Sequence, residues 1–110
     1  MHYEGLSADA QACIDACQDC YVTCVQCIRQ HPGEEMMAAC VRTCLDCVAT
    51  CQACLHLMAA QSPLHARACA LCAEACDRCY AECEGMDNPY CRQCAEACRR
   101  CGEACRAMAA

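Results

Sequence analysis

The chain has 110 residues and a formal net charge of −6, with 20 cysteines but no Phe and no Trp. A shortage of large apolar side chains is typical of chains that cannot fold, but Cys and Ala bury readily and suit closely packed helices. The length predicts one compact domain over residues 1–110, and the acidity argues against a nucleic acid partner.

Start and stop signals divide the chain into four helices. Ser7 can cap the first helix, and His31-Pro32-Gly33 ends it. Ser62-Pro63 and Asn88-Pro89 each place a capping residue before a proline, and Gly85 can end the third helix. The predicted helices cover residues 7–30, 34–60, 63–84 and 89–108. Because the linkers are short, we expect an all-α fold, an antiparallel up-down four-helix bundle.

All cysteines recur at alternating steps of three and four residues, in one group of five per predicted helix. The groups are Cys13, Cys17, Cys20, Cys24, Cys27; Cys40, Cys44, Cys47, Cys51, Cys54; Cys69, Cys72, Cys76, Cys79, Cys83; and Cys91, Cys94, Cys98, Cys101, Cys105. This spacing keeps each group on one helix face over roughly 21 Å. The sequence therefore predicts a bundle whose core is lined with cysteine.

The same step, continued past each cysteine group, reaches further soft or borderline ligands. At one predicted end of the bundle these are His31, Met37 and Met86. At the other end they are Met58, His65 and Met108. All six are candidate auxiliary ligands or metal-entry residues. The alternatives are a solvated loop position for His31 and simple apolar packing at the ends of the core for the methionines.

The N-terminal segment lacks the apolar region of a secretory signal, and no apolar run approaches the roughly 18 to 20 residues that span a membrane. We therefore expect a cytoplasmic protein without a membrane partner, in a compartment where thiols stay reduced. Helical neighbours three or four residues apart also match disulfide geometry poorly, although cross-helix pairs could form. Such a density of thiols indicates metal binding.

Three kinds of metal site could use these thiols. The ferredoxin run C-x2-C-x2-C-x3-C-P is absent, yet spacing alone leaves an iron–sulfur cluster open as an alternative. Zinc on four thiolates has a net charge of about −2, so five such sites would bury about −10 in a narrow core. Each Cu(I) instead displaces one thiol proton and adds no charge, and soft thiolates select Cu(I). Charge therefore favours Cu(I), with a zinc-thiolate protein as the other alternative.

The pattern of C-x2-C and C-x3-C steps on four antiparallel helices resembles the bacterial copper storage proteins, in their cytosolic branch. The resemblance covers essentially the whole chain, including Ser62-Pro63, Cys69-Ala70-Leu71-Cys72 and the closing segment 105–110. It implies a bundle that fills its core with Cu(I), assembles as a homotetramer and has one open end. That open end would lie near Cys27, Cys40, Cys83 and Cys91, although the family's histidines are missing from the 85–90 loop.

These observations predict a cytosolic Cu(I) storage and buffering protein. We expect about one Cu(I) per cysteine, with all twenty cysteines as ligands, and neither catalysis nor an organic cofactor. A thiol oxidoreductase would need one reactive pair set apart from the rest, and the eight C-x2-C pairs single out none. Apolar residues outside the cysteine faces of the first two helices are the expected oligomer contact. The sequence identifies no copper donor or acceptor protein.

Overall fold

The computed structural model describes residues 3–109. It contains four α-helices: α1 (Ala8–Gln30), α2 (Ala38–Ala59), α3 (His65–Cys83) and α4 (Pro89–Ala109). A short 3-10 helix, Glu35–Met37, precedes α2, and no strand occurs within residues 3–109. The predicted all-α four-helix bundle is confirmed.

Each helix packs against two neighbours, in the cyclic order α1, α2, α3, α4 and back to α1. The side-chain pairs show the antiparallel arrangement, because Cys13 near the start of α1 contacts Cys105 near the end of α4. Similarly, Cys54 near the end of α2 contacts Cys69 near the start of α3. The resulting bundle measures 43 × 24 × 19 Å, so the cysteine faces form one long, narrow core.

Two of the predicted helix caps are present. Ser7 Oγ accepts a hydrogen bond from the backbone N–H of Ala10 at 3.1 Å. Asn88 Oδ1 accepts from the N–H groups of Tyr90 at 2.9 Å and Cys91 at 3.3 Å. Both side chains satisfy N–H groups that have no partner inside the helix, which fixes where α1 and α4 begin.

The start of α3 differs from the prediction by two residues. Gln61 has a positive φ of 52°, which ends the run of α2, and Pro63 and Leu64 form a turn. Ser62 Oγ does accept from Leu64 N–H at 3.1 Å, but the regular helix begins only at His65. The turn places His65 at the very end of the bundle.

The start of α2 also differs, because residues 35–37 form a tighter 3-10 turn rather than α-helix. This turn draws Met37 inward, where it is buried, and leaves its neighbour Met36 exposed. The predicted interior position of Met37 therefore arises from the 3-10 turn as well as from the helical step.

Charged side chains lie on the outside of the bundle. Arg106 on α4 pairs with Asp77 on α3 at 2.9 Å, and Arg100 on α4 pairs with Asp19 on α1 at 3.3 Å. All four side chains are at least half exposed, so each pair contributes about 0–1 kcal/mol to stability. These ion pairs keep the arginines away from the thiol core.

One segment of the described chain, Glu35–Ala59, is long and apolar enough by length and composition to cross a membrane. This differs from the sequence expectation that no run is so apolar. The physical reason is the content of Cys, Ala, Val and Leu in α2. The five cysteines of this helix are buried against the other helices, whereas Leu45 is exposed on the outer face, so both faces of α2 contribute to its apolar composition.

Replacing Asn88 with Ala should destabilise the reduced, metal-free protein by about 1 kcal/mol, because two backbone N–H groups lose their acceptor. Urea unfolding followed by far-UV circular dichroism measures this loss. Asn88→Asp keeps the acceptor oxygen and should remain within a few tenths of a kcal/mol of the parent. Equal losses in the two variants would show that the cap is not the cause.

Candidate metal centre

All twenty cysteines point into the bundle, and none is more than 1% exposed. They account for most of the buried residues, while the alanines and methionines fill the remaining gaps. A thiol in this setting behaves as a small apolar group with a weak donor. The core is therefore a column of sulfur atoms closed to solvent along its sides.

Thiols from adjacent helices meet in layers across the column. Between α1 and α4 the Sγ–Sγ distances are 3.8 Å for Cys13–Cys105, 3.7 Å for Cys17–Cys101, 3.8 Å for Cys20–Cys98, 3.6 Å for Cys24–Cys94 and 4.0 Å for Cys27–Cys91. Between α2 and α3 they are 3.7 Å for Cys54–Cys69, 3.8 Å for Cys51–Cys72 and 3.7 Å for Cys44–Cys79. The antiparallel register thus aligns the thiol faces of adjacent helices.

Thiols also meet across the diagonal of the bundle. Cys44 on α2 lies 3.5 Å from Cys94 on α4, and Cys47 lies 3.9 Å from Cys98. The thiols of opposite helices are therefore in contact at these two levels, so sulfur atoms fill the centre of the bundle there. The sulfur atoms form one continuous network.

Several groups of four thiols have all their Sγ atoms within 4.8 Å of one another, close enough to share a metal ion. Three of these groups follow one another along the column: Cys20, Cys47, Cys76, Cys98; Cys24, Cys47, Cys79, Cys98; and Cys24, Cys44, Cys79, Cys94. Neighbouring groups share two members. The arrangement therefore suits thiolates that bridge between successive ions.

Burial raises the pKa of the Cys69 thiol, and the nearby Cys54 raises it further. Burial also raises the pKa of Cys91. Thiols that lose water without gaining a positive partner stay protonated and neutral. Cys69 and Cys91, one in each terminal layer of the column, are therefore neutral before metal binds.

Cys40 and Cys83 are joined by a disulfide, with their Cα atoms 5.7 Å apart, and the other 18 cysteines are free. The sequence argument against a disulfide framework holds for those 18. The bonded pair joins α2 to α3, the cross-helix arrangement that the argument left open. These two residues can act as thiolate ligands only after reduction.

The first end of the bundle holds His31, which is only 6% exposed rather than solvated. Its Nδ1 lies 2.9 Å from Glu34 Oε2, and its Nε2 lies 4.0 Å from Cys91 Sγ. Because a carboxylate only accepts, Nδ1 donates the hydrogen bond to Glu34. Met37 is buried there, and Met86 is half-buried against the core.

The opposite end of the bundle brings together Met58, His65 and Met108, which line one pocket. Met58 is buried, whereas the other two are partly exposed. All six auxiliary candidates therefore lie at the ends where the sequence placed them. Their roles as ligands or entry residues stay predictions.

Sequence reasoning missed two partners of these histidines. Glu34, the residue just before the 3-10 helix, orients the His31 ring. The backbone carbonyl of Ser62 holds His65 in the same way, with Nδ1 at 2.8 Å. The i, i+3 spacing of each pair was the available signal, but its meaning depends on local turns.

A family model described as copper storage protein matches residues 2–110. The chain belongs to the copper storage protein family. The uncharacterised cysteine-rich protein YhjQ of Bacillus subtilis (strain 168) is 38% identical over 104 residues, covering 92% of this chain and 96% of that protein.

Two solved structures of this family are closely similar to the bundle. Cu(I)-bound copper storage protein BsCsp3 superposes with a TM-score of 0.87 at 37% identity, covering 93% of this chain and 99% of the other. The apo form of Csp3 from Bacillus subtilis gives a TM-score of 0.86 at 39% identity, covering 92% and 99%. The likeness extends over nearly the full length of both chains.

We expect thiol labelling of the denatured protein to find two fewer reactive thiols without reductant than with it, because Cys40 and Cys83 are paired. A Cys40→Ser/Cys83→Ser variant should show no such difference. The matched Cys54→Ser/Cys69→Ser variant, which alters the cross-helix pair at the other end, should retain it. Equal labelling of the parent protein before and after reduction would contradict the assignment.

Proposed function

We propose that residues 1–110 form one cytoplasmic Cu(I)-storage domain that holds about one Cu(I) per cysteine, roughly 20 in all. The observation that carries this proposal is the column of buried thiols whose groups of four overlap. Overlap lets each thiolate serve two ions. All twenty cysteines are then ligands, including Cys40 and Cys83 in their reduced form.

The net charge that each metal would bury in the core distinguishes Cu(I) binding from zinc binding. The Sγ–Sγ distances of 3.5–4.0 Å suit a tetrathiolate zinc site with Zn–S bonds near 2.3 Å, so distance alone favours neither metal. Filling the column with zinc tetrathiolates would bury about two negative charges per site, with the arginines outside on the surface. Cu(I) replaces the thiol proton and leaves the column neutral.

The family supports the same conclusion, because its role is storage and the related BsCsp3 is Cu(I)-bound. We propose that this chain likewise stores Cu(I) and catalyses no reaction. Iron–sulfur and zinc-thiolate binding remain the alternatives that the metal content would detect.

We further propose a homotetramer that buries the apolar outer face of α1 and α2. Val22, Val25 and Leu45 on this face are 51%, 40% and 52% exposed. Tyr21, Ile28, Val41, Val48 and Leu55 are partly buried beside them. An apolar surface of this kind is typical of an interface between protein chains.

Anaerobic titration of the reduced protein with Cu(I), against a competing chelator, should reach an end point near roughly 20 ions per chain. The same titration with Zn(II) should reach only about five, with four thiolates per ion. A Cu(I) end point near five would favour separate tetrathiolate sites and overturn the neutral-column proposal.

The reduced apo protein should be helical and melt cooperatively, because neutral thiols and capped helices can pack without metal. Cu(I) binds the folded form, so saturating Cu(I) should raise the Tm by more than about 10 °C. Circular dichroism at 222 nm during heating measures both properties. A random-coil spectrum for the reduced apo protein would contradict this expectation.

A further inference from the structure

A groove runs along the outside of the bundle between α2 and α3. Two cavities of about 340 and 280 Å³ follow each other along it, and both are lined by Asp46 and Arg78, so they form one continuous surface. Arg42 and Glu82 line its first half, and Leu71 lines its second half. These five residues define the α2–α3 groove.

The charged side chains of the α2–α3 groove differ from those of α4. Every arginine of α4 has a carboxylate partner within the chain. Arg42, Asp46, Arg78 and Glu82 are all exposed, and within residues 3–109 none of them takes part in an ion pair. The groove therefore presents charges of both signs that can pair with another molecule.

The positions of these charges follow from the register of the two helices. Cys44 on α2 lies opposite Cys79 on α3, with 3.7 Å between their Sγ atoms. Counting along the antiparallel helices from this pair, Arg42 lies at the level of Glu82 to within one residue, or about 1.5 Å. Asp46 lies at the level of Arg78 with the same offset. At each of these two levels, α2 and α3 therefore carry opposite charges.

The rest of the groove is apolar and flat enough for close approach. Leu71 is 57% exposed, and Leu45, which also lines the groove, is 52% exposed. From residue 43 to residue 55, α2 carries a single charged residue, and the small side chain of Ala49 lies exposed in the middle. Apolar surface beside polar pairs is the usual composition of an interface between proteins.

The available area is also sufficient. The bundle is 43 Å long and 19–24 Å wide. A face of these dimensions can bury the roughly 800 Å² per partner that a specific, stable interface requires.

We propose that the α2–α3 groove binds the same groove of a second copy of this chain, about a two-fold axis parallel to the bundle. This axis sets α2 of one copy opposite α3 of the other at the same level. Arg42 then pairs with Glu82 of the partner subunit, and Arg78 pairs with Asp46 of the partner subunit. Symmetry doubles both pairs, so four ion pairs enclose the apolar part of the groove.

This inference rests on the proposed homotetramer and supplies its second interface. A two-fold interface uses the same surface of both chains, so one such interface joins only two chains. A closed tetramer built from two-fold axes needs two different interfaces. The apolar outer face of α1 and α2 provides one, and the α2–α3 groove provides the other.

Sedimentation velocity of the reduced apo protein at physiological ionic strength tests the groove directly. In the Arg42→Glu/Arg78→Glu variant, like charges face each other across the interface. We expect the constant for dissociation of tetramers into dimers to rise by about 100-fold, because like charges placed opposite each other cost several kcal/mol. A Val22→Glu/Val25→Glu variant should also give dimers, held together by the groove instead.

Mixing two variants distinguishes pairing between chains from an effect inside one chain. Asp46→Arg/Glu82→Arg makes the groove entirely positive, whereas Arg42→Glu/Arg78→Glu makes it entirely negative. Each variant alone should form dimers, and the equimolar mixture should form tetramers, because opposite charges again face each other. A mixture that stays dimeric would overturn the pairing.

Matched controls separate charge at the groove from charge elsewhere. Arg92→Glu/Arg100→Glu makes the same change in net charge on α4 and should stay tetrameric. Circular dichroism checks that each variant is folded. If the charge-reversed grooves do not fold, Leu71→Glu alters one exposed side chain and should still convert tetramers to dimers.

The outcomes separate this inference from the proposed function. A parental tetramer that withstands reversal of the groove charges would leave the homotetramer standing and overturn the groove interface. A parental dimer that splits on this reversal, but not in the Val22/Val25 variant, would support the groove and overturn the homotetramer. A monomeric parent would overturn both. Because the apo protein is measured, a low Cu(I) capacity would overturn storage without affecting the interface.

Discussion

The free-energy cost of burying charge limits which metal ions the core of this protein can accept. Twenty cysteines lie in a column that water does not reach, and burial raises the pKa of Cys69 and Cys91 in its two terminal layers. A column of thiolates without compensating cations would not be stable in such surroundings. The bundle can therefore form with protonated thiols, and it can accept metal in quantity only if each ion removes as much positive charge as it brings. Cu(I) exchanging with a proton meets that requirement.

The helical architecture meets this constraint by placing the thiols inside the bundle and the charged residues outside. Alternating steps of three and four residues keep each thiol face continuous, and the antiparallel register sets the faces opposite one another. Since Cys is smaller than Leu, the helices pack closely enough for α2 and α4 to touch through Cys44 and Cys94. Charged residues remain on the outer surface, where exposed pairs such as Arg106–Asp77 contribute little to stability but leave the core free of charge.

The two ends of the column are built from similar residue types but differ in physical character. At one end the His31 ring is buried between Glu34 and Cys91. At the other, Met58 lies beneath a pocket that also exposes His65 and Met108. A store with closed sides can exchange ions only through its ends.

Much of this could be read from the sequence, because helix periodicity is a local property. The spacing of the cysteines determined four helices, their inward faces and the grouping of the six auxiliary candidates at two ends. The capping roles of Ser7 and Asn88 also followed from local chemistry. The disulfide between Cys40 and Cys83, the burial of His31 and the contact of Met58 with Cys69 depend on the tertiary structure alone. These features depend on how helices rotate and how turns such as 35–37 and 61–64 direct their side chains, and the spacing of residues along one helix carries no information about either.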